Sequence, residues 1–225
     1  MTLLHLHAAL GFHAALLGWL LFLPALAAAA WSLRLRFLPE SSQQHAWLAG
    51  IVCVSLLWLL QVKTGDGLYF GMLGAALFAL IFGWARSILG LSVALLLYTA
   101  LTEGAWSNLG INGLLFAVLP TAIACTLQRL LERKLPKNLF IFIIGNGMFV
   151  TLAATAVTSL AMLLASLPTA TPAAAARMGE YATYSLLLAW GEAVVSGMIF
   201  SSLVIFRPGV VLTYREDTYL PLRRS

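Results

Sequence analysis

The chain has 225 residues, 61% of them hydrophobic and only 9% charged, and its mean hydropathy is +0.94. A water-soluble domain of this length carries close to 25% charged residues, so composition excludes that class and indicates an all-α, polytopic membrane protein. The net charge of +5 comes from cations that fall almost entirely in the loops of one side, which argues against a nucleic-acid partner and for a lipid bilayer.

Residues 1–31 hold no Lys or Arg. A secretory leader needs a basic start, so cleavage at the small residues Ala28–Ala30 is not expected. Residues 8–31 read instead as a first span, with Pro24 a tolerated kink. Further apolar runs lie at 46–62, 68–84, 87–102, 109–128, 139–166 and 181–206. The runs 68–84 and 87–102 are short, with Arg86 between them, and a tilted or re-entrant one would reduce seven spans to six. With seven spans and the amino terminus outside, Arg34, Arg36, Arg86, Arg129, Arg133, Lys134, Lys137, Arg207, Arg215, Arg223 and Arg224 face the cytoplasm. Only Lys63 and Arg177 face out, an asymmetry that supports both count and orientation. The segment 168–177, rich in Pro, Thr and Ala, is then an irregular outer loop, and 207–225 a cytoplasmic tail. Residues 1–225 form a single integral-membrane domain, expected in a bacterial inner membrane. Cys53 and Cys125 sit in apolar runs without C-x-x-C spacing and read as buried small hydrophobes.

The stretch that matters most is the last span, where Glu192 stands near the middle of an apolar run. An acidic residue at a helix centre costs about 3 kcal/mol on insertion, so it is expected to face the bundle interior, hydrogen-bonded. Ala193, Gly197 and Ser201, four apart, offer a small-residue seam for close helix packing. Three histidines, His5, His7 and His13, lie at the front. Neutral imidazole suits nickel, cobalt, copper or zinc, and a terminal amine would add a nitrogen; an interfacial polar end accounts for them equally well. Asn108 and Asn112 share one helix face, while Gly110 and Gly113 admit a neighbouring backbone. With Asp66 and Glu103 in adjacent outer loops they form either a cation-attracting cup or a helix cap. Asn146, between Gly145 and Gly147, is packing glue or a pathway residue. No Gly-rich phosphate loop, H-E-x-x-H, G-x-S-x-G or paired intramembrane carboxylate is present, so the sequence gives no support to a hydrolytic enzyme or an ATP-driven motor.

The run W-G-E-A-V-V-S-G-M-I-F-S-S-L-V-I-F-R-P (190–208) resembles the last helix of the CbiM/NikM family. L-G-I-N-G-L-L-F-A-V-L-P (109–120) resembles that family's Asn- and Gly-bearing middle helix. G-L-Y-F-G-M-L-G-A-A-L-F-A-L-I-F-G (67–83) resembles its Gly-x-x-Leu helix. The resemblance implies the membrane component of a cobalt or nickel energy-coupling-factor ABC transporter. Such a component captures nickel or cobalt as substrate rather than holding it as a cofactor, and has no ATPase of its own. It works with a coupling transmembrane subunit and cytoplasmic ATPase subunits. It also implies a Met-His start and a histidine just before the Leu-x-Gly of the third span. Here those positions are Thr2 and Gly71, so the metal falls to His5, His7 and His13 or the branch has lost it. The sequence thus leaves two readings: a metal-capturing permease component, and a non-transporting membrane scaffold or regulatory subunit.

Overall fold

The computed structural model describes residues 12–33, 40–63, 69–102, 106–170, 172–215 and 219. Helix α1 spans Phe12–Leu33 with Pro24 inside it, and α2 spans Ser41–Leu59. A two-residue antiparallel pair follows, β1 (Val62–Lys63) with β2 (Tyr69–Phe70), in register Val62 to Phe70 and Lys63 to Tyr69. Then come a short helix α3 (Ala75–Phe82) and α4 (Trp84–Leu101). Two long helical segments, α5 (Trp106–Lys134) and α6 (Leu139–Ser166), lead through a small helix α7 (Pro172–Ala176) to α8 (Met178–Phe206). Among the described residues, five helices are long and apolar enough to cross a membrane: α4, α5, α6, α8 and the Ala15–Leu33 stretch of α1. The amino-terminal turns of α2 are polar, with Ser41, Ser42, Gln43, Gln44 and His45.

The surface is inverted relative to a soluble bundle. Leu17, Leu20 and Leu21 on α1 and Leu187, Ile205 and Phe206 on α8 all stand exposed. Contiguous apolar surface on this scale is stable only against hydrocarbon. The interior is packed around Trp58, Leu73, Leu80, Phe116 and Phe200, and seven of the eight residues of α3 are buried within it.

Both long segments are interrupted by π-helical turns, Leu114–Val118 in α5 and Gly145–Val150 in α6. In α5 the cause is local: Pro120 has no N–H for the Phe116 carbonyl, and a widened turn accommodates the loss. Close crossings set the rest. A Cβ on Gly110 would lie 2.5 Å from the Trp19 nitrogen, so α1 and α5 touch backbone to backbone. Gly147 meets Gly197 in the same manner, a Cβ there falling 3.1 Å from the Gly197 Cα, and this brings α6 against α8.

Four expectations need correction. The run 68–84 is no continuous helical span: residues 71–74 are non-helical, and helix begins only at Ala75. Gly74, with φ +67°, and Gly83, with φ +75°, break it at both ends because other residues are strained there. The remaining spans start or end several residues from the apolar runs, most visibly α5, whose polar last turns continue past 128 to Lys134. The 168–177 loop contains α7 and a 3-10 turn at Leu167–Thr169. Cys53 is exposed, while Cys125 is buried. Cys53 borders an apolar groove of about 430 Å³ between α2, α3 and α8.

Candidate functional site

The segment from β2 to the end of α3 runs alongside α8 in the same direction. The Phe70 ring lies 5.7 Å from that of Tyr181 near the start of α8. Leu73 and Gly74 reach Glu192 at its middle, and the Ile81 carbonyl accepts from the Leu212 amide just beyond its end, at 2.8 Å. Gly74, with φ +67°, turns the chain into α3 at this point, so the Leu73 and Gly74 amides are not consumed by a helix.

Those amides are what Glu192 binds. The Leu73 N–H donates to Oε2 and the Gly74 N–H to Oε1, each at 2.8 Å, and the Thr155 hydroxyl donates to Oε1 at 3.3 Å. The carboxyl is 1% exposed. On the other side the Trp58 indole N–H donates to the Leu73 carbonyl at 2.8 Å, so both backbone groups of Leu73 are held by side chains. Gly74 caps α3, which places the carboxyl at the positive end of that helix dipole. An acid with no Lys or Arg at its level is thus compensated by backbone dipoles. Trp58 is fixed edge-on by Phe116 and Tyr98, and Gln61 donates to the Tyr98 hydroxyl at 3.0 Å.

Around this clasp the buried faces are polar. Helix α6 carries Thr151, Thr155, Thr158 and Ser159 at helical spacing, all 0% exposed. Helix α8 adds Ser185 and Ser196 on the buried side that holds Glu192. Four buried acceptors, Oδ1 of Asn112, Oγ1 of Thr121, Oδ1 of Asn146 and Oγ1 of Thr158, have no hydrogen-bond partner among the described residues. A greasy bundle with this much uncommitted polarity at its centre is built to receive something hydrophilic.

The predicted residues fall into three groups. Glu192 is central. Asn108, Asn112 and Asn146 are buried, Asn108 as the amino-terminal cap position of the α-helical part of α5 and Asn146 within the π turn of α6. His13 is exposed in the first turn of α1. His5, His7, Thr2, Asp66 and Glu103 lie outside the described residues. Gly71 is half-buried in the non-helical stretch, two residues before the Glu192 contacts. Among the described residues no three His, Cys, Asp or Glu side chains converge. Sequence reasoning missed Trp58, Thr155 and the two amides. The hydroxyls at 151, 155 and 158 were a readable signal; the amides carry none.

A multi-pass helical bundle with a short buried helix aimed at an acidic side chain is an arrangement found in membrane transport proteins. Comparison with known proteins agrees. Residues 7–210 match the model of the CbiM family, described as the cobalt uptake substrate-specific transmembrane region. The chain belongs to that family. A solved structure described as a truncated transition metal transporter superposes with a TM-score of 0.67 at 21% identity, over 87% of this chain and 95% of the other. A second, described as a transition metal transporter, gives 0.69 at 19% identity, over 90% and 92%. At these identities the likeness establishes the fold. A search of curated proteins finds no match.

Proposed function

We propose that this chain is the substrate-capturing membrane component of an energy-coupling-factor-type transporter, taking up a transition-metal cation of the cobalt or nickel class. The observation that carries the reading is the Glu192 clasp. It holds the non-helical stretch Gly71–Gly74 at the amino end of α3, beside a buried polar lining. Glu192 acts there as a positioning residue, since its oxygens already accept two backbone amides and a hydroxyl. The imidazoles of His5, His7 and His13 are the proposed donors to the ion, because positions 2 and 71 are Thr and Gly.

The broken segment counts as a crossing. The stretch 69–73 and the eight-residue helix α3 reach at most about 28 Å, close to the hydrocarbon thickness of a bilayer. With α2 also crossing, the chain passes seven times, amino terminus outside and carboxyl terminus in the cytoplasm of a bacterial inner membrane. Its partners are a coupling transmembrane subunit and cytoplasmic ATPases, which supply the energy this chain does not.

The test is elemental analysis and thermal unfolding of the purified chain with Ni, Co, Zn and Cu. The expected result is bound metal and a raised unfolding midpoint, both reduced by His5→Ala, His7→Ala or His13→Ala. Thr2 and Gly71 favour a second reading, a scaffold or regulatory subunit that has lost the metal. Binding of none of the four ions, with co-purification of a partner, would replace the first reading by this one.

A further inference from the structure

Helix α3 lies between Gly74 and Gly83, the positive-φ glycines of the described residues. Glycine turns freely in that region, so α3 is a short rod between two joints. It is tied at both ends to α8 or to the chain that continues α8. At its amino end Glu192 holds the Leu73 and Gly74 amides. At its carboxyl end the last carbonyls have no donor within the helix. There the Leu212 amide donates to the Ile81 carbonyl at 2.8 Å, and the Thr213 hydroxyl donates to the Leu80 carbonyl.

The tail that supplies these donors is itself pinned. Gln43 donates to the Gly209 carbonyl at 3.2 Å, and Val211 is buried. Tyr214 and Tyr219 stack on one another, and their rings lie 5.4 and 4.5 Å from that of Phe142 on α6. Beneath Tyr219 is a cavity of about 10 Å³, room for one water, bordered by Glu132, Asn146 and Lys137. The Asn146 Oδ1 is among the buried acceptors with no partner among the described residues. The tail therefore closes this end of the bundle over an uncommitted polar group, and it grips the hinged rod.

We infer that residues 207–215, together with Tyr219, form a latch on the inward release of the captured cation. Opening it frees the carboxyl end of α3, which swings on Gly74 and Gly83 and exposes the level of Asn146. The inference rests on the capture reading and supplies its release step.

The experiment uses the full chain in detergent, in a Cys53→Ala, Cys125→Ala background carrying Asn146→Cys as reporter. A small polar thiol reagent reacts slowly while the tail is intact. Thr213→Val, which removes one hydroxyl donor at nearly constant shape, raises the rate about fivefold, the factor one hydrogen bond carries; Tyr219→Ala raises it further. Equal rates in all three chains overturn the latch. Hydrogen–deuterium exchange of Thr213→Val without the reporter gives a second readout. Faster exchange in 75–83 and 209–215 together supports the coupling, and faster exchange confined to the tail overturns it. Neither readout needs metal. A chain that binds no ion but passes both keeps the coupling of the tail to α3 and loses the capture reading with the release role; one that binds ion and fails both loses the latch alone.

Discussion

Glu192 shows how a buried acid is held by backbone donors, with no Lys or Arg bonded to it among the described residues. Two backbone N–H groups at a helix start, reinforced by the dipole of α3, face its two oxygens. The substitution Glu192→Gln keeps the shape but turns an NH₂ toward one of those amides, donor against donor. The expected cost is roughly 1–3 kcal/mol, the penalty for a buried amide left unmade. It reads out as a lower midpoint in thermal unfolding of the detergent-solubilised chain. Trp58→Phe removes the indole donor to Leu73 and leaves a cavity among Phe116 and Tyr98, and should cost roughly 2–4 kcal/mol. An unchanged midpoint in Glu192→Gln would mean that the clasp does not hold the segment. The importance of Glu192 was legible in the sequence, because one carboxylate in an apolar run is conspicuous. Its partners were not, since every residue but proline has a backbone N–H.

At the scale of elements, two devices decide the packing: glycines that let helices meet backbone to backbone, and π turns that re-aim the chain between them. The crossing of α1 and α5 at Gly110 has no slack, because the obstacle to a Cβ there is the Trp19 backbone rather than a flexible side chain. Gly110→Ala should therefore push α1 away and destabilise the fold by about 1–3 kcal/mol. Gly191→Ala, where nothing lies within 4 Å, serves as the control and should be neutral or slightly stabilising. Equal behaviour of the two in thermal unfolding would remove the close-crossing argument. The spacing of Gly110 and Gly113 announced this contact. The π turn at Gly145–Val150 could not be anticipated, because its Gly-Asn-Gly reads equally well as α-helix.

For the whole molecule the decisive question is which side each end occupies. Arg177 begins the turn before α8 and Arg215 follows it, so the two sit at opposite ends of that helix. With Cys53 and Cys125 replaced by Ala, Arg177→Cys should react with an impermeant maleimide on intact cells, and Arg215→Cys only after permeabilisation. The reverse pattern would invert the proposed orientation. The sequence by itself determined that the chain is a membrane bundle and roughly where its apolar runs lie, and its cation asymmetry supplied the proposed orientation. These follow from transfer free energy and charge, which sum along the chain without reference to its fold. Only the tertiary structure decided that helix within the run 68–84 begins at Ala75, and that Glu192 closes on amides 118 and 119 residues earlier. The reason is that such pairing depends on where two distant stretches of backbone meet at one depth, and hydropathy does not encode that meeting.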